Sequence, residues 1–200
     1  MLGLAPDDFA RPSPCPPWTI AGLLGHVATV IGWLPAMLAA PVPHRAEVSA
    51  AGYYRADERF SPQTNEDRLA LATQRAAAAP DGHSLAQTFA AAQRDIVELC
   101  RREPAARVVR TRHGDAMLLT DFLLTRIVEV GIHGLDLADG LARPPWLTPP
   151  AAAVLTTLFL PRSDRPADPA LLRKVTGRLP VTPEESAHLE GLGARRLTLG

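Results

Sequence analysis

The stretch from Thr120 to Gly140, TDFLLTRIVEVGIHGLDLADG, constrains this chain more than any other. At about 100° per residue, Arg126, Glu129, His133 and Asp136 share one stripe roughly 80° wide, and Leu123, Leu124, Ile127, Val128, Val130, Ile132 and Leu135 take nearly all the rest. A helix lying on a surface has one apolar face. This one is apolar almost all round, so it is expected to be buried, and its ionisable seam is costly there unless the groups pair or hold a metal. Thr120 is the expected N-cap, Asp121 suits the positive end of the helix dipole, and Gly140 ahead of Pro144-Pro145 supplies the stop.

A second greasy segment, IAGLLGHVATVIGWLPAMLAA from Ile20 to Ala40, holds no charged residue and only one ionisable group, His26. Its length invites a membrane-spanning reading. Internal glycines, Pro35, many alanines and the absence of flanking basic clusters favour instead a core helix of a bundle, kinked or ended at Pro35. Two further helices are expected. One starts at Ser61-Pro62 and reaches about Ala79; the other starts at the capping box Ser84 to Gln87 and reaches about Arg102. Pro41 to Phe60 reads as a long irregular connection, and ARVVRTRHGDAMLLT as an extended piece with a His113-Gly114-Asp115 turn. The fold class is therefore all-α. A four-helix bundle spans residues 1–143, and residues 144–200 form a proline-rich, mostly helical extension packed on it.

Composition narrows the function classes. Formal net charge is zero, which gives no electrostatic case for nucleic acid or an anionic membrane. Cys15 and Cys100 make neither a disulfide framework nor a CxxC pair. With no basic region ahead of an apolar run at the N-terminus, the expected compartment is the cytoplasm.

Taken singly, His26 reads as a satisfied core histidine, and a Glu and a His four residues apart are common on helix surfaces. Together, His26, Glu129 and His133 are three metal-competent groups in otherwise apolar helices. Such a His/His/Glu set leaves an open position on zinc, and nickel and iron accept it as well. Asp136 is expected to orient an imidazole or to bind substrate, with a simple ion pair as the rival account. Arg55 and Arg59, near Tyr53 and Tyr54 in the long loop, suit a carboxylate or are simply solvated, and Asn65 and Arg68 stand in the same position. Cys15 has no base near it in sequence, and His113 reads as a surface residue.

Two segments carry a family resemblance: PCPPWTIAGLLGHVATVIGWL and RIVEVGIHGLDLADGL. They resemble the DinB-like superfamily, in the branch around the N-terminal domain of mycothiol-dependent maleylpyruvate isomerase. The resemblance implies a four-helix bundle with a divalent metal held by His26, Glu129 and His133. It also implies a low-molecular-weight thiol as cosubstrate, mycothiol if the source is an actinobacterium, which the Ala/Arg/Pro-rich composition suits. The ending, LLRKVTGRLPVTPEESAHLEGLGARRLTLG, is similar to tails of uncharacterised members.

The expected function is thiol transfer or cis-trans isomerisation of a small electrophile, with Asp136 and Arg55 as the supporting catalytic pair and homodimerisation left open. The alternatives are a metal-dependent hydrolase using activated water, or a non-catalytic binding or dimerisation bundle.

Overall fold

A computed structural model describes residues 3–197 of the chain; Thr198 to Gly200, the end of the tail whose sequence resembles other members, lie outside them. Four long helices carry the architecture: α1 (Ile20–Ile31), α4 (Pro62–Ala78), α5 (Gly82–Arg101) and α6 (Leu119–Gly140). Between them come the short helices α2 (Leu34–Ala39) and α3 (Ala50–Tyr53) and a hairpin of β1 (Val108–Arg110) and β2 (Ala116–Leu118). Three shorter helices follow: α7 (Pro149–Phe159), α8 (Pro169–Val175) and α9 (Pro183–Gly191).

The central helix is α1, which packs on α4, α5 and α6. Thr19 caps it, its side chain accepting from the Gly22 amide at 3.2 Å, and every residue from Gly22 to Ile31 is buried. Gly25 permits its close approach to α4, because a Cβ there would lie 2.6 Å from the Ala72 carbonyl oxygen. The helix breaks at Gly32-Trp33 and resumes as α2, with Pro35 in its first turn. Counted through that break, Ile20–Ala39 is long and apolar enough to cross a membrane, and 72% of the window is buried within the protein.

Several local expectations are corrected. The N-cap of α5 is Asp81, whose carboxylate accepts from the Ser84 amide at 2.7 Å, so the helix starts ahead of the Ser84 capping box. Helix α6 begins at Leu119 without a side-chain cap, because the preceding residues are committed to β2, whose Leu118 pairs with Val108. The extended piece is thus an antiparallel hairpin with Val109 opposite Met117 and Arg110 opposite Ala116. The long loop contains α3 and a 3₁₀ turn at Glu58–Phe60. At the end of α6 the left-handed residue is Ala142, at φ 52°, with the Arg143 amide donating back to the Ala138 carbonyl. Gly140 serves another purpose: a Cβ there would sit 2.8 Å from Ile20 and 3.2 Å from Pro14, so it lets the N-terminal segment lie against α6.

The extension joins the same core. Leu155, Phe159, Leu160 and Leu172 are fully buried in the cluster that also holds Phe122, Ile132 and Leu135 of α6. Its remaining ties are ionic, with Arg173 holding Asp139 and Arg178 holding Asp136.

Candidate metal centre

Burial of both α1 and α6 forces their polar side chains to find each other. His26 Nε2 lies 3.2 Å from Glu129 Oε2, and His133 Nε2 lies 3.6 Å from the same oxygen. The three side chains are 5%, 16% and 10% exposed, and their ligand atoms all fall within 4.8 Å of one another. Trp18, from the lead-in to α1, stacks on the His26 ring at 4.8 Å between centroids and covers one of its faces. Its ring thus forms a wall of this cluster.

His133 faces a second set of partners on its other nitrogen. Nδ1 lies 2.9 Å from Asp136 Oδ2. The Asp136 carboxylate in turn accepts two hydrogen bonds from Arg178, Nε to Oδ1 at 2.7 Å and Nη2 to Oδ2 at 2.9 Å. Cys15 Sγ donates to the same Oδ2 at 3.3 Å. Cys15, His133 and Asp136 are therefore a second group close enough to share an ion. Arg178 decides between the two groups, since a bidentate guanidinium already satisfies Asp136 and opposes a second cation there. Among the described residues no guanidinium is bound to the carboxylate of the His26/Glu129/His133 side, and its donor set suits a divalent transition metal.

The ionisation states follow from the same contacts. Burial pushes His26 down toward the neutral imidazole, the form that can ligate. Burial alone would raise Glu129, but hydrogen bonds from His133 and His26 outweigh it and hold the carboxyl well below its usual range. Burial would likewise lower His133, and is overcome by its bonds with Asp136, Cys15 and Glu129, which leave it well above the ordinary histidine value. For Asp136 the balance of burial against His133 and Arg178 comes down to about 2. The seam is thus a compensated chain of charges, Glu129, His133, Asp136 and Arg178, inside an apolar helix pair.

Beside the cluster opens a narrow cleft of about 30 Å³, bordered by His26 and Glu129 on one side and by Arg59, Arg68, Arg112 and Arg126 on the other. Arg59 is buried and committed, donating to the Tyr53 carbonyl and pairing with Asp57 and Asp115. The other three have no carboxylate within ion-pair distance among the described residues. Arg68 donates to the Arg59 carbonyl, Arg112 lies 4.6 Å over the Trp33 ring, and Arg126 donates to the Val30 carbonyl while packing on Phe122 and Trp33. His113 also borders the cleft, stacked edge-on to Tyr53, and burial together with the neighbouring arginines lowers it to about 4.

The structure therefore brings together His26, Glu129, His133 and Asp136. Arg55 stays outside the cleft, its side chain 56% exposed and bonded to Asp57 and Asp115. Arg68, Arg126 and His113 were visible in sequence only as solvated or ambiguous charges. Arg178 had no sequence signal, since nothing in its local pattern points to a partner 42 residues earlier. Cys15 had one, its place in the Cys-Pro lead-in, although the groups it meets lie 121 residues away.

The family described as mycothiol maleylpyruvate isomerase N-terminal domain matches residues 1–138 of the chain. No curated relative and no solved structure matches it.

Proposed function

Because the chain belongs to the family of mycothiol maleylpyruvate isomerase N-terminal domains, we propose that it is a metal-dependent enzyme using a low-molecular-weight thiol, mycothiol, against a small electrophile. The observation that carries this reading is the convergence of His26 Nε2, Glu129 Oε2 and His133 Nε2 in a buried pocket that opens onto an arginine-lined cleft. These three residues would hold the divalent metal, zinc first, with nickel or iron also compatible. The chemistry such a metal supplies when bound is Lewis acidity, which favours the thiolate form of a thiol near neutral pH.

The chain's own residues do the rest. Asp136, clamped by Arg178, holds a proton on His133 Nδ1 and so leaves Nε2 facing Glu129. Trp18 and the apolar walls of α1 exclude water from one face of His26. Arg68, Arg112 and Arg126 present positive charge with no carboxylate in ion-pair distance among the described residues, so the electrophile or the thiol carries an acidic group that docks there. Arg55 acts at one remove, through Asp115, which it shares with Arg59 in the cleft wall. If the adduct expels the thiol after bond rotation, the product is a cis-trans isomer; if the adduct leaves intact, the reaction is thiol transfer.

Turnover assays with maleylpyruvate and with an activated aryl chloride, each with and without added mycothiol, test the reading. Activity that requires the thiol supports it. Full activity without any thiol would favour a hydrolase using activated water, which the same ligand set also serves.

A further inference from the structure

Helices α5 and α6 both pack on α1 and not along each other, and between them runs a half-open groove of about 530 Å³. Its walls are alkyl and aromatic, among them Leu24, Val27, Phe89, Val97, Ile127 and Trp146. Arg126 borders both this groove and the cleft beside His26 and Glu129, so the two cavities lie back to back.

Two glycines of α6 face the groove, and they differ. Gly131 has a packing reason, because a Cβ there would lie 2.9 Å from Leu155 Cδ1. Gly134 has none: a Cβ would meet nothing within 4 Å. A glycine in the middle of a 22-residue helix is unfavourable relative to alanine, and at Gly134 what it secures is open space. The shape also argues for a small occupant over a protein face. Of the large apolar side chains exposed among the described residues, only Val130 and Trp146 border the groove, so its apolar surface lies inside it and not on a flat rim.

We propose that this groove binds an apolar small molecule, a hydrocarbon chain or fused ring system of up to about 18 non-hydrogen atoms, taking for each the roughly 30 Å³ that one water occupies in the liquid. The site stands independently of the metal. The test titrates the neutral fluorophore N-phenyl-1-naphthylamine into the full chain, with 1-decanol as competitor, before and after chelator treatment.

Saturable binding of one dye per chain, displaced by decanol and unchanged by chelator, is expected. Gly134→Leu, which fills the groove from an unobstructed position, should weaken it at least tenfold while keeping the melting temperature and metal content. Trp146→Ala removes an exposed wall without touching the core and should weaken binding too. Absence of saturable binding, or unchanged binding in both variants, overturns the proposal. So does a wild-type dimer that Gly134→Leu dissociates while neither protein binds dye, since the groove would then hold a second copy of the chain.

Discussion

At the scale of single residues, the cluster depends on His133 being addressed from both sides. Asp136 does not border the arginine-lined cleft; it acts on His133 Nδ1 and is itself pinned by Arg178. Asp136→Asn keeps the shape and removes the charge. Metal affinity, read by competition with a chelator, should fall by about 10–100-fold with the helical content intact. An unchanged affinity would reduce Asp136 to an ion-pair partner. His113, which borders the cleft but is not one of the proposed ligands, gives a second test. Burial depresses it to about 4 from the ordinary histidine value of about 6.5, so between these two pH values the unfolded chain binds the proton and the folded chain does not. Stability is therefore complete above about pH 6.5 and is lost as pH falls toward 4. The full shift would be worth about 3 kcal/mol, and partial exposure reduces the expectation to about 1 kcal/mol. The wild type should lose a few degrees more than His113→Gln when melting is compared at pH 7.5 and pH 5. Parallel pH curves would show that His113 does not titrate with folding. At this scale the sequence carried His26, Glu129 and His133, because an ionisable group in an apolar helix announces its own cost. Arg178 stayed hidden, and Cys15 showed its place in the lead-in but not its contact, because their partners come from the fold.

At the scale of elements, α1 and α6 were legible from their apolar patterns, whereas their ends were not. Ser84 and Thr120 are good capping residues, but Asp81 lies one turn earlier in the first case and the β2 pairing sets the boundary in the second. The extended piece and its turn were legible, but the pairing of its two strands was not, because three-residue strands leave too little alternation to read. Packing between α1 and α4 rests on the missing side chain at Gly25. Gly25→Ala would press a methyl to 2.6 Å from the Ala72 carbonyl oxygen and force the helices apart. A cost of about 1–3 kcal/mol is expected, or roughly 3–10 °C in melting temperature. A variant as stable as the wild type would mean that the two helices can separate freely. Since α1 carries His26, metal content should fall along with stability.

At the scale of the whole molecule, the family match ends at residue 138, whereas the core does not. Leu155, Phe159, Leu160 and Leu172 are buried against α6 and its neighbours, and at about 2 kcal/mol each they contribute roughly 8 kcal/mol, comparable with the net stability of a typical domain. A chain ending at Arg143 should therefore lose its cooperative melt, and it also loses the Arg178 clamp on Asp136. Cooperative melting of that fragment within a few degrees of the full chain would contradict this. The sequence marked the boundary by its prolines and the packing by helical spacing, yet gave no sign that the extension reaches back to the polar seam of α6. Metal stoichiometry is the sharpest test of that seam. Protein purified without chelator, analysed for metals beside His26→Ala and Glu129→Gln, should carry about one equivalent of a divalent transition metal per chain, with both variants largely depleted. Wild-type protein with far less than one equivalent, or variants with full metal content, would contradict the account.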